Sequence, residues 1–599
     1  MELLERKDMD PRYQWRLTDI YPSSEKFEAD FEKAKKAVAA AQGFQGRVRE
    51  DPLAAVRARF EASKIIGRLF GYAFMKKAED SANTDSQTLF GRCMGLAVEA
   101  ESAGAFLEPE LLEMDAAEIR RLIDSGEAGE YDVYLSEILR RKPHTLSAAE
   151  EKLLSSAGEV LSTPGEVFGM FDNVDVPFPE VTDEEGESRP LTHASYGVLI
   201  RSGDERVREE AYRAMMDTFG KFASTVTAMY SGHVKGDIFT MRARKYSTCR
   251  EMSLDANQIP EKVYDSLIAA VGAAIPSLTR ALEIRRKRMG LERLRMWDLY
   301  APILKDFDLD MDYDTAYDTV VSALGVLGRD YTELLEKARN EGWIDVYPNK
   351  NKRSGAYSSG CWGVHPYVLL NQTDNLESCF TIAHEMGHAL HTWHSEKSQP
   401  YAKSDYSLFV AEVASTTNEV LLMRYLMDKY RDDPAATAYL NNQFIESFRT
   451  TVFRQTLFAE FEYRAHTLAE RGVPLTKENL GDIHFELNKK YYGAAVEVDD
   501  CIRSEWMRIP HFYRSYYVYV YATGYCAAAA IADRILREGA PAVEGYKRFL
   551  SAGSSVPPIE ALKYAGVDMN DEKTVAGSLR VFDEAVTALE KALAEMDKK

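Results

Sequence analysis

Apolar residues recur at intervals of three and four along most of the chain, which is the spacing of one face of an α-helix. The pattern runs from about Ser24 to Arg141, in segments such as EKFEADFEKAKKAVAAAQ, and it returns after about residue 195 and continues to Lys599. Gly, Pro and Asp residues interrupt it at helix-length intervals. The sequence therefore predicts a mainly α protein.

Two stretches depart from the helical pattern. Residues 172–192, DNVDVPFPEVTDEEGESRPLT, surround an acidic turn and predict a hairpin or an inter-domain connection. We place a domain boundary at about residue 195, which divides the chain into a helical N-terminal domain, 1–195, and a second domain, 196–599. In residues 341–372, β-branched and aromatic residues alternate beside a Gly/Ser-rich loop, which predicts two or three short strands, with PYVLLN as the clearest.

Composition and charge narrow the function classes. With 599 residues, 45% hydrophobic and 28% charged, the chain has an ordinary globular composition and can bury a large core. A net charge of −21 repels phosphate backbones and anionic lipid, so we expect neither nucleic acid nor a membrane surface as a partner. Six dispersed cysteines, a charged N-terminus and the lack of a long apolar run favour a cytoplasmic protein, either a monomer or a homo-oligomer.

The candidate chemistry centres on FTIAHEMGHALHTWH, residues 380–394, which holds four of the eleven histidines. Asp374 and Glu377 have the spacing of a capping box and predict a helix that starts near Asn375. His384 and His388 then lie on one face, one turn apart. With Glu385 beside them they form HExxH, in which two imidazoles hold Zn²⁺ and the Glu accepts a proton from the activated water.

The remaining ligands must come from other segments. His391 shares the stripe of His384 but lies about 10.5 Å further along the helix axis, too far to bind the same ion. We expect His391 and His394 at the rim of the site or in support of its ligands. Downstream, DYSLFVAEVASTTNEVLLMRYLM predicts a helix with Glu412 and Glu419 on one face. Spacing alone leaves two interpretations open, a metal-associated pair and a surface pair.

A third segment, HFYRSYYVYVYATGY at residues 511–525, offers hydrogen-bond donors for the negative charge that develops during amide hydrolysis. It contains His511 and a series of tyrosines, of which Tyr517, Tyr521 and Tyr525 share a face if the segment is helical. The alternative is a buried tyrosine-rich helix with no catalytic role.

Two segments before the metal helix are candidates for substrate binding. Strand residues Tyr367, Val368 and Leu369 can pair with an extended peptide by strand addition. Gly355, Gly360 and Gly363 in RSGAYSSGCWG are possible hinges of a loop that closes over that peptide. On composition alone, both segments are equally compatible with a structural role.

Together, HEMGHALH, FVAEVAST and PHFYRSYYVYVYATGY resemble the M3 family of zinc oligopeptidases. YPNKNKRSGAYSSGCWGVHPYVLLN and YQWRLTDIYPS resemble its oligoendopeptidase F subfamily, so the resemblance spans most of the chain. It implies that one Zn²⁺ is held by His384, His388 and Glu412, that Glu385 is the general base, and that Glu419 supports the ligands. It also implies oxyanion stabilisation by His511, Tyr517 and Tyr521 and substrate contacts from Tyr519 and Tyr525, although Gly524 departs from the family pattern.

The resemblance implies a helical N-terminal region packed on a helical catalytic domain, with a small β-sheet beside the active-site helix and a deep channel that admits short unfolded peptides. The expected activity is hydrolysis of internal peptide bonds. Two alternatives stay open. One is an exopeptidase of the same family that holds a terminal carboxylate with Arg503 or Arg508, and the other is a peptide-binding protein whose metal is structural.

Overall fold

The computed structural model describes residues 3–304 and 311–598 and is 72% helix and 3% strand, which confirms the mainly α prediction. The N-terminal helices are α1 (Ser24–Gln42), α2 (Pro52–Glu79), α3 (Thr84–Gly104), α4 (Leu107–Glu113), α5 (Ala116–Asp124), α6 (Asp132–Arg141) and α7 (Ala148–Met170). The next are α8 (His193–Leu199), α9 (Glu205–Lys221), α10 (Ala223–Ala243), α11 (Cys249–Asp255), α12 (Glu261–Ala273), α13 (Ile275–Arg288), α14 (Tyr313–Ala323) and α15 (Arg329–Asn340). The last are α16 (Leu376–Ser398), α17 (Leu408–Lys429), α18 (Pro434–Phe448), α19 (Arg454–Glu470), α20 (Lys477–Tyr492), α21 (Tyr519–Glu538), α22 (Ala540–Leu550), α23 (Pro558–Tyr564) and α24 (Glu572–Met596).

The strands are short and form three small sheets. They are β1 (Glu180–Thr182), β2 (Ser188–Pro190), β3 (Leu294–Arg295), β4 (Ile344–Asp345), β5 (Tyr357–Ser359), β6 (Tyr367–Leu369) and β7 (Val496–Glu497). Strands β1 and β2 form the predicted antiparallel hairpin, and β3 pairs in parallel with β7. Two or three short strands were expected between residues 341 and 372, and the structure has three, in the order β4–β6–β5.

The chain divides into two compact units, each built from three segments. The first unit comprises Met1–Thr145, Asp308–Tyr425 and Ile531–Val567, and the second comprises Leu146–Phe307, Leu426–Ala530 and Asp568–Lys599. The division expected at about residue 195 differs from this one. The spacing of apolar residues predicts helices, but it does not show which distant segments of the chain fold into the same unit.

The core of the first unit forms where α1, α2 and α3 pack on one another. Helix α2 begins at Pro52 because the Asp51 side chain accepts a hydrogen bond from the Ala54 N–H at 3.0 Å and so caps the helix. Phe27 and Leu69 are buried in this core, and Tyr367 and Leu369 of β6 belong to it. Each such side chain contributes about 1.5–3 kcal/mol through burial. The helical core therefore anchors the strand that supports α16.

In the second unit, α18 packs along α24. The ring centres of Phe448 and Phe582 are 5.5 Å apart in this contact. An ion pair between Arg208 and Asp298 is almost completely buried, with a nitrogen–oxygen distance of 2.7 Å. Paired charges of this kind avoid the cost of an isolated buried ion.

Among the described residues, no single helix has both the length and the apolar composition that a membrane span requires. The bent pair α12 and α13, with 46° between its helices, has both when taken together.

A candidate metal centre on two packed helices

Helix α16 carries the HEMGH segment and begins close to the predicted start. The Asn375 side chain accepts a hydrogen bond from the Ser378 N–H at 2.9 Å, so Asn375 caps the helix and the expected Asp374 lies one residue before the cap. Both residues have side chains that can cap, and the sequence does not distinguish them. The cap fixes where the helix begins, and helical geometry then brings His384 and His388 together.

The two histidines meet a carboxylate from α17. Nε2 of His384 and Nε2 of His388 are 3.2 Å apart, and each lies 3.4 Å from Oε2 of Glu412. The Ser415 hydroxyl donates to the same Glu412 oxygen at 3.2 Å. Within the part of the chain that the structure describes, this is the group whose ligand atoms, all within 4.8 Å of one another, could hold a metal ion.

Glu419 lies about two helical turns beyond Glu412 on α17 and contacts the opposite side of the His384 ring. Its Oε1 atom lies 2.8 Å from Nδ1 of His384, as expected for a residue that supports a ligand. This contact places the proton of a neutral imidazole on Nδ1 and leaves the Nε2 lone pair directed at His388 and Glu412. Two imidazole nitrogens and one carboxylate oxygen that converge in this way fit a zinc site with an open coordination position.

The electrostatics of the cluster favour positive charge. Burial lowers the pKa of His384, but hydrogen bonds with Glu412 and Glu419 outweigh it and raise the pKa to about 10. Hydrogen bonds from His384 and His388 hold the pKa of Glu412 well below its usual range. The cluster therefore stabilises a cation held between these side chains.

Glu385 lies next to the cluster and is only 7% exposed. Burial raises the pKa of its carboxyl group, whereas His384, His388 and a hydrogen bond from the Ser358 N–H lower it. A carboxylate whose pKa is raised above the ordinary value is a better proton acceptor in the neutral pH range. Strand β5 thus orients the side chain that the HExxH motif assigns as the general base.

Gly387, the glycine of HEMGH, is a functional residue that the sequence reasoning missed. A Cβ atom there would lie 2.4 Å from Cα and 2.8 Å from N of Ser415, inside the backbone of α17. The Asn418 side chain bridges the same two helices by donating to the Ala383 carbonyl at 3.1 Å. A glycine within a helix lowers stability by about 1 kcal/mol relative to alanine. A glycine in the middle of a predicted helix was therefore the one sign in the sequence that another backbone packs closely there.

Replacing Gly387 with Ala is expected to separate the two helices and displace Glu412. The variant should lose about 1–3 kcal/mol of stability through overpacking and should bind metal more weakly. Thermal unfolding without metal and a calorimetric titration with Zn²⁺ measure the two effects. Gly91→Ala in α3 is the matched control, because no atom lies within 4 Å of its added Cβ. Unchanged metal affinity in Gly387→Ala would contradict this role of the close contact.

We expected His391 and His394 at the rim of the site or in support of its ligands, but the structure places both against aromatic rings. His391 is 1% exposed and stacks on Tyr406 with ring centres 3.7 Å apart, and burial lowers its pKa to about 3. His394 stacks on Tyr331. Both histidines therefore pack against aromatic rings of the first unit.

A cavity of about 800 Å³ opens beside the cluster within the first unit. Its wall includes segment 356–362, the cluster residues themselves, Lys64 of α2 and Glu396 of α16. The expected strand addition to Tyr367–Leu369 is wrong, because β4 and β5 already pair with both edges of β6 and its side chains are buried. The strand that lines the cavity is β5.

The glycines of the adjoining loop differ in their backbone conformation. Gly355 and Gly363 have φ angles of 80° and 87°, which side chains with a Cβ rarely adopt, and Gly360 does not have a positive φ. Gly360 instead lies against α2, where a Cβ on Gly71 would be 2.9 Å from its carbonyl oxygen. A hinge function of these glycines stays a prediction.

The second unit holds the His511 segment, which forms a separate aromatic cluster. Nε2 of His511 lies 3.3 Å from the Tyr521 hydroxyl, and the Tyr517 and Tyr521 ring centres are 5.3 Å apart. Partial burial lowers the pKa of His511, and Arg514 lowers it further. Helix α21 begins at Tyr519, so Tyr517 belongs to the preceding turn and not to a shared helix face.

The burial of Tyr519 and Tyr525 conflicts with the expectation that they contact substrate. Tyr519 is 3% exposed and packs with its ring centre 5.1 Å from that of Tyr264. Tyr525 is 9% exposed and packs against Phe448. Both correspond to the alternative of a buried tyrosine-rich helix, and the sequence could not separate the two groups because every tyrosine has the same apolar ring and polar tip.

Buried polar groups hold the turn that precedes Tyr517. Tyr516 has a φ of 55°, and its N–H donates to Oε1 of Glu462 at 2.7 Å. The Ser515 hydroxyl donates to Asp237, which also contacts Nε2 of His466 at 3.1 Å. These contacts fix an unfavourable backbone conformation, so the position of Tyr517 depends on them.

The chain is similar to known proteins over almost its full length. The sequence model described as Peptidase family M3 matches residues 198–581, and the one described as Oligopeptidase F matches residues 110–178. Oligopeptidase PepF of Bacillus subtilis (strain 168) is 40% identical over 596 residues, which are 99% of this chain and 89% of that protein. Group B oligopeptidase PepB of Streptococcus agalactiae is 38% identical over 594 residues, 98% of each chain.

Solved structures show the same fold. A protein of Chlamydophila abortus matches with a TM-score of 0.95 and 32% identity, covering 99% of this chain and all of that chain. Oligoendopeptidase-F from Enterococcus faecium matches with a TM-score of 0.72 and 33% identity, covering 95% of this chain and 99% of that chain. The stretch that matches the Peptidase family M3 model, residues 198–581, spans the metal centre.

Proposed function

The chain belongs to the peptidase M3 family and is a metallo-oligopeptidase, and on that premise we propose that it is a zinc-dependent endopeptidase that cleaves internal bonds of short, unstructured peptides. One Zn²⁺ is held by His384, His388 and Glu412. The observation that carries the proposal is the convergence of these three ligand atoms within 4.8 Å beside the buried carboxylate of Glu385.

The type of metal follows from the donor set. Imidazole nitrogen and carboxylate oxygen suit Zn²⁺, and three protein ligands leave one position for water or substrate. When bound, zinc polarises the scissile carbonyl and lowers the pKa of water. The geometry supports a catalytic site better than a structural one, since structural zinc is normally closed by four protein ligands and the described residues supply three.

The protein side chains perform the proton transfers. Glu385 accepts a proton from the attacking water and delivers it to the amine that leaves. The Ser358 N–H fixes the orientation of this carboxylate, and Glu419 fixes the tautomer of His384. We further propose that His511, Tyr517 and Tyr521 stabilise the oxyanion, as the family resemblance implies.

Substrate lies in the cavity that contains the cluster. Segment 356–362 lines it and includes β5, which is an edge strand of its sheet, with the small side chains of Ser358 and Ser359. Main-chain hydrogen bonds to an extended peptide bind many sequences with little regard to side chains. This arrangement suits an enzyme that cleaves oligopeptides of varied sequence.

The exopeptidase alternative has less support. It requires a cation that can receive a terminal carboxylate, and Arg503 already pairs with Asp482 and Asp500. The Arg508 guanidinium stacks over the Tyr196 ring, 4.8 Å from its centre. Neither side chain is presented as a dedicated carboxylate receptor.

Peptides blocked at both termini test the proposal. We expect mass spectrometry to find internal cleavage of blocked, unstructured peptides, loss of cleavage with a chelator and its recovery with Zn²⁺. A stably folded protein that contains the same sequence should resist cleavage. Cleavage confined to peptides with a free carboxyl terminus would support the exopeptidase instead, and no cleavage at all would reject the peptidase function.

A further inference from the structure

Helix α16 presents a polar stripe to the cavity beyond the metal ligands. His384, His388, Thr392 and Glu396 are spaced by four residues, and all four line the same cavity. Glu396 follows His388 by eight residues, which is about 12 Å along the helix axis. The cavity therefore continues from the metal centre to a carboxylate that the catalytic reaction does not use.

Among the described residues, the Glu396 carboxylate forms no close ion pair. The Gly363 N–H donates a hydrogen bond to it, and no Lys, Arg or His nitrogen of the described residues lies within 4.0 Å of its carboxylate. The side chain is half-buried, and burial raises its pKa to about 7. An unpaired carboxylate in such surroundings is costly, and a cation that enters the cavity relieves that cost.

Two lysines near Glu396 are occupied elsewhere. The Lys397 ammonium lies 4.5 Å from the centre of the Trp393 ring, and Lys64 lies 5.7 Å from the centre of the Trp362 ring. The charge of Lys397 lowers the pKa of Glu396 from a distance, and Lys64 is not among the charges that shift it. Neither lysine neutralises this carboxylate by direct contact.

The surroundings of Glu396 also suit the long apolar stem and the charged end of a basic side chain. Trp362, Tyr401 and Tyr406 line the same cavity. The negative charge of Glu396 acts on the phenols of Tyr401 and Tyr406, which places both near it. Aromatic faces attract Arg and Lys through cation–π interactions in addition to a carboxylate ion pair.

We propose that Glu396 forms a subsite that selects a Lys or Arg side chain of the peptide substrate. The proposal rests on the peptidase function, because it treats the cavity as the substrate site. An extended peptide spans about 3.3 Å per residue, so the axial distance from His388 places the basic residue roughly three or four positions from the cleaved bond. Peptides with a basic residue at that position are the preferred substrate class.

The test compares blocked peptides that differ only by Lys or Met at each position around the cleaved bond. The wild-type enzyme should prefer Lys at one position, measured as the ratio of kcat/KM values. Glu396→Gln should lower that ratio about tenfold, the effect of losing one hydrogen bond to a charged group. The variant should still cleave the Met peptide, which shows that it is folded, and Glu396→Lys should favour Glu over Lys.

Asp405→Asn is the matched control, because Asp405 lines the same cavity but is exposed. It should leave the Lys preference unchanged. An equal loss of preference in both variants would assign the effect to the general negative field and overturn a specific subsite. The absence of a Lys preference in the wild type would also overturn it, whereas failure to cleave any peptide would reject the peptidase function itself.

Discussion

Glu385→Gln is expected to lower kcat by about 10²–10⁴-fold, the range for removal of a general acid–base group. Glutamine keeps the size of the side chain and can still accept the hydrogen bond from the Ser358 N–H, but it cannot take up the proton of water. Zinc content should stay at the wild-type level, because the ligand atoms come from His384, His388 and Glu412. KM should change little, since the substitution removes an interaction made in the transition state.

The measurement pairs steady-state kinetics on one blocked peptide with the metal content of the same preparation. Glu377→Gln is the matched control, since Glu377 is exposed in the first turn of the same helix. It should leave kcat unaltered. Full activity of Glu385→Gln with bound metal would refute the role of Glu385 as the base, whereas loss of metal together with activity would make Glu385 part of the metal site.

Much of the metal centre could be predicted from the sequence because helical geometry fixes local distances. Four-residue spacing places His384 above His388 on any straight α-helix, and it does so whatever the rest of the fold. The same reasoning placed Glu412 and Glu419 on one face of the next helix. Which acid approaches the ion and which supports a histidine depends on how α16 and α17 pack, and the family resemblance supplied that distinction.

Features that depend on packing between elements were missed or misjudged. The pattern of PYVLLN correctly predicts a strand, yet it cannot show that β6 is central and that β5 borders the cavity, because strand order is a long-range property. From the sequence, Gly387 is only a residue with low helix propensity, and its role becomes clear from the backbone of Ser415 that packs against it. His391 was excluded as a ligand by axial distance, but its burial required knowledge of Tyr406.

Glu412→Ala is expected to weaken Zn²⁺ binding by roughly 10²–10³-fold, which is about one ligand's share of the 10–16 kcal/mol of a four-ligand site. The loss has a second cause, because Glu412 is the negatively charged member of this ligand group and offsets part of the positive charge of the ion. Activity at limiting zinc should disappear and should recover only in part at high zinc.

Glu419→Gln should have a smaller effect on the same titration, because it alters a group that contacts a ligand and not the ion. Substitutions of such partners reduce metal affinity about 10–100-fold. Asp428→Ala, at an exposed site on the same helix, is the control and should leave affinity unchanged. The order of the three variants is the decisive result: if Glu419→Gln lost more affinity than Glu412→Ala, the ion would be bound on the Glu419 side of His384, and the roles of the two acids would be exchanged.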